Sequence, residues 1–146
     1  MKTLSTKKIN LFVVYLNTNV KPDVYSSAEE MKSLINDVRP TIKDEIQGFL
    51  DIQDKVSDLQ RQLMLDSITQ DDANSKAKEL NQASQKLELT TGDDVIKIDF
   101  ENEPFNQLMN FFNRTGKGWF VNGERYLDFE KDINKANQQP KTEEKK

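Results

Sequence analysis

Two clusters in this sequence hold residue types that could do chemistry. Arg114, Gly116, Lys117 and Gly118 form a short basic glycine loop, the kind of backbone that can wrap a phosphate with successive N–H groups. A P-loop, however, needs Gly-Lys followed by Ser or Thr at the opening of a helix, and here Gly118, Trp119 and Phe120 follow the lysine. A helix end closed by Gly116, with cations near the negative end of the dipole, accounts for the same residues and is the expected arrangement. Asp93, Asp94, Asp99, Glu101 and Glu103 make the second cluster, and crowded carboxylates can hold magnesium or calcium. Their spacing fits no EF-hand loop, and Asp99 and Glu101 should project from the solvent face of a strand, where charge discourages edge-to-edge pairing. A third group, Trp119, Phe120, Tyr126 and Phe129, could stack on a base or sugar or anchor an interface. The nearness of Phe105, Phe111 and Phe112 favours a packed aromatic core instead.

Histidine and cysteine are both absent. That removes disulfides, thiolate metal sites, cysteine nucleophiles, imidazole-based triads and most zinc and nonhaem iron chemistry. No catalytic residue, cofactor or metal is expected, and the protein is expected not to be an enzyme. Metal-dependent turnover by carboxylates and lysines would be the one route back to catalysis.

The most regular pattern is apolar. Phe49, Ile52, Val56, Leu59 and Leu63 are spaced three and four residues apart, and Ile42 lies one heptad further back, so a narrow seam should run along a coiled-coil-like helix over 41–66. Its polar side carries Asp44, Glu45, Asp51, Asp54, Asp58 and Asp66. Gly48 inside it costs about 1 kcal/mol relative to alanine, tolerable where a neighbouring helix passes closely. Thr69 and Asp72 can restart a helix with the stripe Ala73, Ala77, Leu80, Ala83 and Leu87, which predicts an antiparallel helical hairpin over 41–89. Small residues on the second helix leave the larger side chains of the seam partly uncovered. The candidate interaction residues are therefore Phe49, Ile52, Val56, Leu59 and Leu63, with Asp44, Asp51, Asp54 and Asp58 on the acidic side. The covering helix can come from the stripe Met31, Leu34, Ile35 and Val38 or from another chain.

Around the hairpin the elements are shorter. Ile9, Phe12, Val13, Leu16 and Val20 have the spacing of one helix face, although the valines and tyrosine of 9–16 leave a strand open. Ser27 and Glu30 form a capping box for a helix that should end near Arg39, before Pro40. Residues 95–100 alternate as a strand, to be paired either with 119–121, where Asn122 and Gly123 signal a turn, or with the N-terminal apolar run. Pro104 suits the first position of a helix carrying Phe105, Leu108, Met109 and Phe112. A last helix from about Tyr126 carries Phe129, Ile133 and Ala136. The expected fold is mainly α, one domain over 1–137 with a minor β element, followed by a disordered tail over 138–146.

Of the 146 residues, 35% are hydrophobic and 32% charged, with mean hydropathy −0.79, a balance that suits helices showing one apolar stripe each. The net charge of −4 argues against direct nucleic-acid binding. The charge is uneven, at +3 over residues 1–43, −9 over 44–103 and +2 over 104–146. The apolar run 11–16 is too short for a membrane span and lacks a small-residue cleavage site after it, so a cytoplasmic, membrane-free protein is expected.

The order of an N-terminal apolar element, an acidic helical hairpin, a strand at 95–100 and a phenylalanine-rich helix at 105–112 resembles small uncharacterised proteins encoded by phages of Gram-positive bacteria. The likeness covers about residues 8–136. It is one of layout and of Lys, Asn, Asp and Gln richness; it implies a phage or prophage setting, hence the host cytoplasm, and assigns no functional residue. The expected function is a noncatalytic protein-interaction or assembly factor with a protein partner, or with itself. The alternative is an acidic regulator or inhibitor of a nucleic-acid-binding protein, motivated by the −9 segment.

Overall fold

The chain enters the fold as a strand. In a computed structural model that describes residues 1–138, β1 (Lys2–Lys7) pairs antiparallel with β2 (Val95–Phe100), setting Leu4 against Ile98 and Thr6 against Ile96. Neither expected partner of residues 95–100 takes that place. The signal for β1 is the alternation of buried Leu4 and Thr6 with more exposed Lys2, Thr3, Ser5 and Lys7, too polar and too short to stand out. The predicted tail, from residue 139 onwards, lies outside the described residues.

The apolar run that follows is helical, α1 (Lys8–Asn17), and buries Ile9, Asn10, Leu11 and Val14. The face expected from spacing therefore holds only in part: Phe12 and Val13 are half-buried and Leu16 is exposed. Asn10 is fully buried with neither side-chain polar atom paired among the described residues, at a cost of about 1–3 kcal/mol.

In α2 (Ala28–Ser33) the Ser27 Oγ accepts the Glu30 N–H, and Glu30 reaches back to the N–H and Oγ of Ser26 at 2.9 and 2.8 Å, one residue beyond a simple capping box. The expected stop before Pro40 does not occur. The backbone passes through a π turn at Leu34–Val38, in which the Arg39 N–H reaches the Leu34 carbonyl, and continues as α3 (Arg39–Lys43). The wider turn makes room for the pyrrolidine ring, and Pro40 in the first turn of α3 needs no donor. A 3-10 turn at Asp44–Ile46 then separates α3 from α4 (Gln47–Met64). The helix predicted over 41–66 is thus divided, and Ile42 joins Leu34, Val38 and Ile46 in the core instead of extending the seam.

α4 and α5 (Gln70–Leu87) form the antiparallel hairpin. At its tip the N–H groups of Asp66 and Ser67 bond the carbonyls of Leu63 and Gln62 at 3.1 and 2.9 Å, a Schellman closure that holds Asp66 at φ 54°. Thr69 caps α5 by accepting the Asp72 N–H. At the base, a Cβ on Gly48 would lie 3.4 Å from a Leu87 methyl, so the glycine sits where the two helices approach. The face of α5 toward α4 uses Ala73, Leu80, Ser84 and Leu87, whereas Ala83 points to solvent.

The rest is a body built on rings. α6 (Asn102–Thr115) begins two residues before Pro104, and α7 (Gly123–Asn137) begins at Gly123 because Asn122 caps it, accepting the Glu124 N–H at 2.8 Å. Asn122-Gly123 is thus a helix start, not a hairpin turn. The Phe112 ring is central, with Trp119, Tyr126 and Phe129 centroids 5.4, 5.6 and 5.0 Å away. A Cβ on Gly116 would meet that ring at 2.3 Å. α2 and the π turn pack on α6, so the stripe Met31 to Val38 belongs to the body and does not cover the hairpin. α7 lies on β1, where the Thr6 hydroxyl donates to Asp132 at 2.7 Å and Lys2 Nζ donates to the Asn137 carbonyl at 2.8 Å.

Candidate interaction groove

Four residues of the predicted seam, Phe49, Ile52, Val56 and Leu59, line an open groove of about 470 Å³ together with Gln53 of the same helix. Its second wall is Ala77, Leu80, Asn81 and Ser84 of α5, and its base is Phe12 and Leu16 of α1. Phe12 stacks on Phe49 with centroids 5.1 Å apart. Leu63 is half-buried nearer the tip and does not line the groove. None of these lining side chains is charged, although nearly a third of the chain is. Along α4 the groove runs from Phe49 to Leu59, ten residues or about 15 Å, close to three turns of a helix laid alongside.

α1 was the wall that spacing alone did not find. Phe12 and Leu16 were visible as apolar residues, but their position beside Phe49 depends on how α1 packs between α3 and the turn after α5, a long-range arrangement without a local signal.

The acidic half of the predicted interaction surface lies elsewhere. At 100° per residue, Asp51, Asp54 and Asp58 fall on the side of α4 away from Val56, and Asp54 and Asp58 border a separate surface hollow with Lys55 and Arg61. Asp58 pairs with Arg61, and Asp51 accepts from Gln47 at 2.9 Å. Asp44 belongs to the 3-10 turn before α4. Residues 47–87 carry seven acidic and five basic side chains, so most of the −9 of the middle segment sits at Asp44, Glu45 and from Glu88 onwards.

Several of the other sequence candidates have structural partners. Arg114 closes the last turn of α6 and pairs with Glu30, a fully buried carboxylate, while also donating to the Val24 carbonyl at 3.2 Å. This ion pair fixes α2 on α6; sequence reasoning missed it because its partners are 84 residues apart. The carboxylates around β2 disperse: Asp99 accepts from Thr3, and Asp93 lies 3.9 Å from both Lys7 and Arg125. Among the described residues, no three acidic groups gather as a cation site. Burial raises the Asp132 carboxyl above its ordinary value, against the lowering effect of the Thr6 hydrogen bond. Trp119 and Phe129 are core residues. No helix of the described residues is long and apolar enough to cross a membrane.

Comparison of the chain with protein-family models, with curated proteins and with solved structures finds no match.

Proposed function

We propose that this chain is a noncatalytic protein-interaction factor that receives a helix of another polypeptide in the groove between α1, α4 and α5. The observation that carries the reading is the groove itself: apolar, uncharged and about three helical turns long, on a chain whose surface is otherwise dense in charge. Helix-in-groove recognition needs such a surface, with apolar anchors and polar groups at the margin. Gln53, Asn81 and Ser84 supply the margin here. An assembly role in a phage or prophage setting, and a place in the host cytoplasm, rest on the resemblance in layout. The acidic-regulator reading gains less support, because the carboxylates of α4 are interleaved with Lys55 and Arg61 and turn away from the groove.

A photoreactive phenylalanine analogue at position 56, expressed in the cells that make the protein, tests the reading. Covalent protein adducts should form from position 56 and not from position 54 on the opposite side of α4. Absence of any adduct from position 56 would sink it.

A further inference from the structure

We propose that β2 pairs edge to edge with β2 of a second copy of this chain, so that two sheets join as one antiparallel sheet about a two-fold axis at Ile98. The pairing uses residues outside the groove and stands whether or not a helix docks there.

Register decides which backbone groups are free. The Lys8 N–H bonds the Asp94 carbonyl at 2.8 Å, so these two residues form a hydrogen-bonded pair. By the alternation of an antiparallel ladder, Thr6 with Ile96, Leu4 with Ile98 and Lys2 with Phe100 do the same. Val95, Lys97 and Asp99 therefore turn their N–H and C=O groups away from β1. Among the described residues these groups meet no hydrogen-bond partner. The edge of β1 is closed by α7. Side chains from both faces of β1 reach that helix, Thr6 and Lys2 from the inner face to Asp132 and the Asn137 carbonyl, and Lys7 from the outer face to Asp128. β2 thus presents the open edge, a row of unpaired backbone groups ready to template another strand.

Charge and register together select a second copy. Charge of one sign along an edge prevents pairing, but Lys97 and Asp99 have opposite signs, lie two residues apart and share the exposed face of the strand. When β2 meets its own copy, the hydrogen-bonded pairs must join residues whose backbone groups point outward. An axis at Lys97 sets that lysine against itself, and an axis at Ile96 sets Asp99 against Asp93 of the copy. An axis at Ile98 sets Lys97 against Asp99 of the copy, and Asp99 against its Lys97. Only this last register makes opposite-charge pairs across the strands on both sides of the axis. Lys97 has no carboxylate partner among the described residues. Asp99 accepts from Thr3 through Oδ1, which leaves Oδ2 for the lysine of the copy. On the inner face the same register lays half-buried Ile96 against Phe100 of the copy.

Sedimentation velocity on the full chain, up to about 500 μM, tests the pairing with Lys97→Asp, Asp99→Lys and the variant that carries both changes. Both side chains are exposed, so all three should keep the wild-type circular dichroism spectrum. The wild type should dimerise. Each single reversal should weaken dimerisation by at least about tenfold, because like charges then face each other across the strands. The double variant restores an opposite charge to every pair and should regain the wild-type affinity, a result that loss of folding cannot produce. Hydrogen exchange gives a second readout. The amides of Lys97 and Asp99 should slow as the wild type dimerises, while that of Ile98, already bonded to Leu4, should not change. A wild type that stays monomeric over this range overturns the inference. So does a double variant as weak as the single ones, or a dimer in which the Lys97 and Asp99 amides exchange as fast as in the monomer.

Discussion

The body and the hairpin spend their apolar residues in different ways. In the body, Phe105, Phe111, Phe112, Phe129 and Trp119 close on one another between α2, α6, α7 and the sheet, and every large ring at the centre is buried. In the hairpin beyond Leu50, only Leu59 and Ala73 are buried, while Ile52, Leu63 and Leu80 are half-covered and Val56 is open. The body can therefore stabilise itself, whereas the hairpin keeps apolar surface in reserve. The lesson is that two helices of equal length and good periodicity need not form a core: the seam of α4 is complete, but the facing residues of α5 are too small and too polar to cover it.

The largest effect should come from the body. Phe112→Ala removes the ring that Trp119, Tyr126 and Phe129 pack against and should cost about 4 kcal/mol, as buried aromatic truncations do. Denaturant unfolding followed by tryptophan fluorescence at Trp119 reads it. A loss below about 1 kcal/mol would mean that the rings are loosely packed and that the contrast with the hairpin is false.

Leu59→Asp sharpens the contrast from the other side. Leu59 is buried between α4 and α5, and an unpaired carboxylate there should cost about 3 kcal/mol. The damage should stay local. In hydrogen exchange, amides of α4 and α5 from residue 52 to residue 83 should lose protection, while those of α6 keep theirs. Equal acceleration in α6 would show that hairpin and body open as one unit.

How much of this was legible follows the same division. The hairpin could be read because its signal repeats: three-and-four spacing from Phe49 to Leu63, then Thr69 and Asp72 at the restart, each a local pattern with one physical meaning. The strand at 95–100 and the apolar faces of α6 and α7 were legible for the same reason. What could not be read depends on distant partners. Leu4 and Thr6 mark a strand only when β2 lies beside them, and Asn10 is buried although an amide on a helix predicts exposure. The continuation through Pro40 depends on a π turn that short-range rules exclude. Of the five seam residues read from the sequence, four line the groove, but Phe12 and Leu16 carry no signal of lining it, since α1 reaches Phe49 only in the folded chain. The acidic residues named with the seam share its helix and not its face, a distinction the 100° repeat already contained.

A smaller effect is expected at the hairpin tip. Asp66 is held at φ 54°, a conformation that costs a side-chain-bearing residue about 1 kcal/mol and glycine far less. Asp66→Gly should raise hairpin stability by about 0.5 kcal/mol, once the greater freedom of glycine in the unfolded chain is counted. Slower exchange at the Ser67 and Leu65 amides, with α6 unchanged, is the expected readout. Faster exchange would show that the aspartate side chain contributes more at the tip than its backbone strain costs.

The smallest effect tests whether the body holds tension of its own. Asp132 accepts the Thr6 hydroxyl beneath α7, and burial raises its carboxyl above the ordinary value near 4. A carboxyl whose folded value is raised favours folding in its protonated form. That contribution is fully present below about pH 4 and is lost as pH rises through the raised folded value, because the ionised form is the one that burial penalises. Asp132→Asn keeps an acceptor for Thr6 and removes the charge. The variant should therefore equal the wild type near pH 4 and exceed it at pH 7, by a few tenths of a kcal/mol, since the carboxylate is partly exposed and screened by solvent. Lys7 and Lys131 act in the opposite direction by favouring the ionised form. If the asparagine variant is less stable at pH 7 than at pH 4 relative to wild type, those two lysines outweigh burial, and the junction between α7 and β1 is held by charge and not merely endured by it.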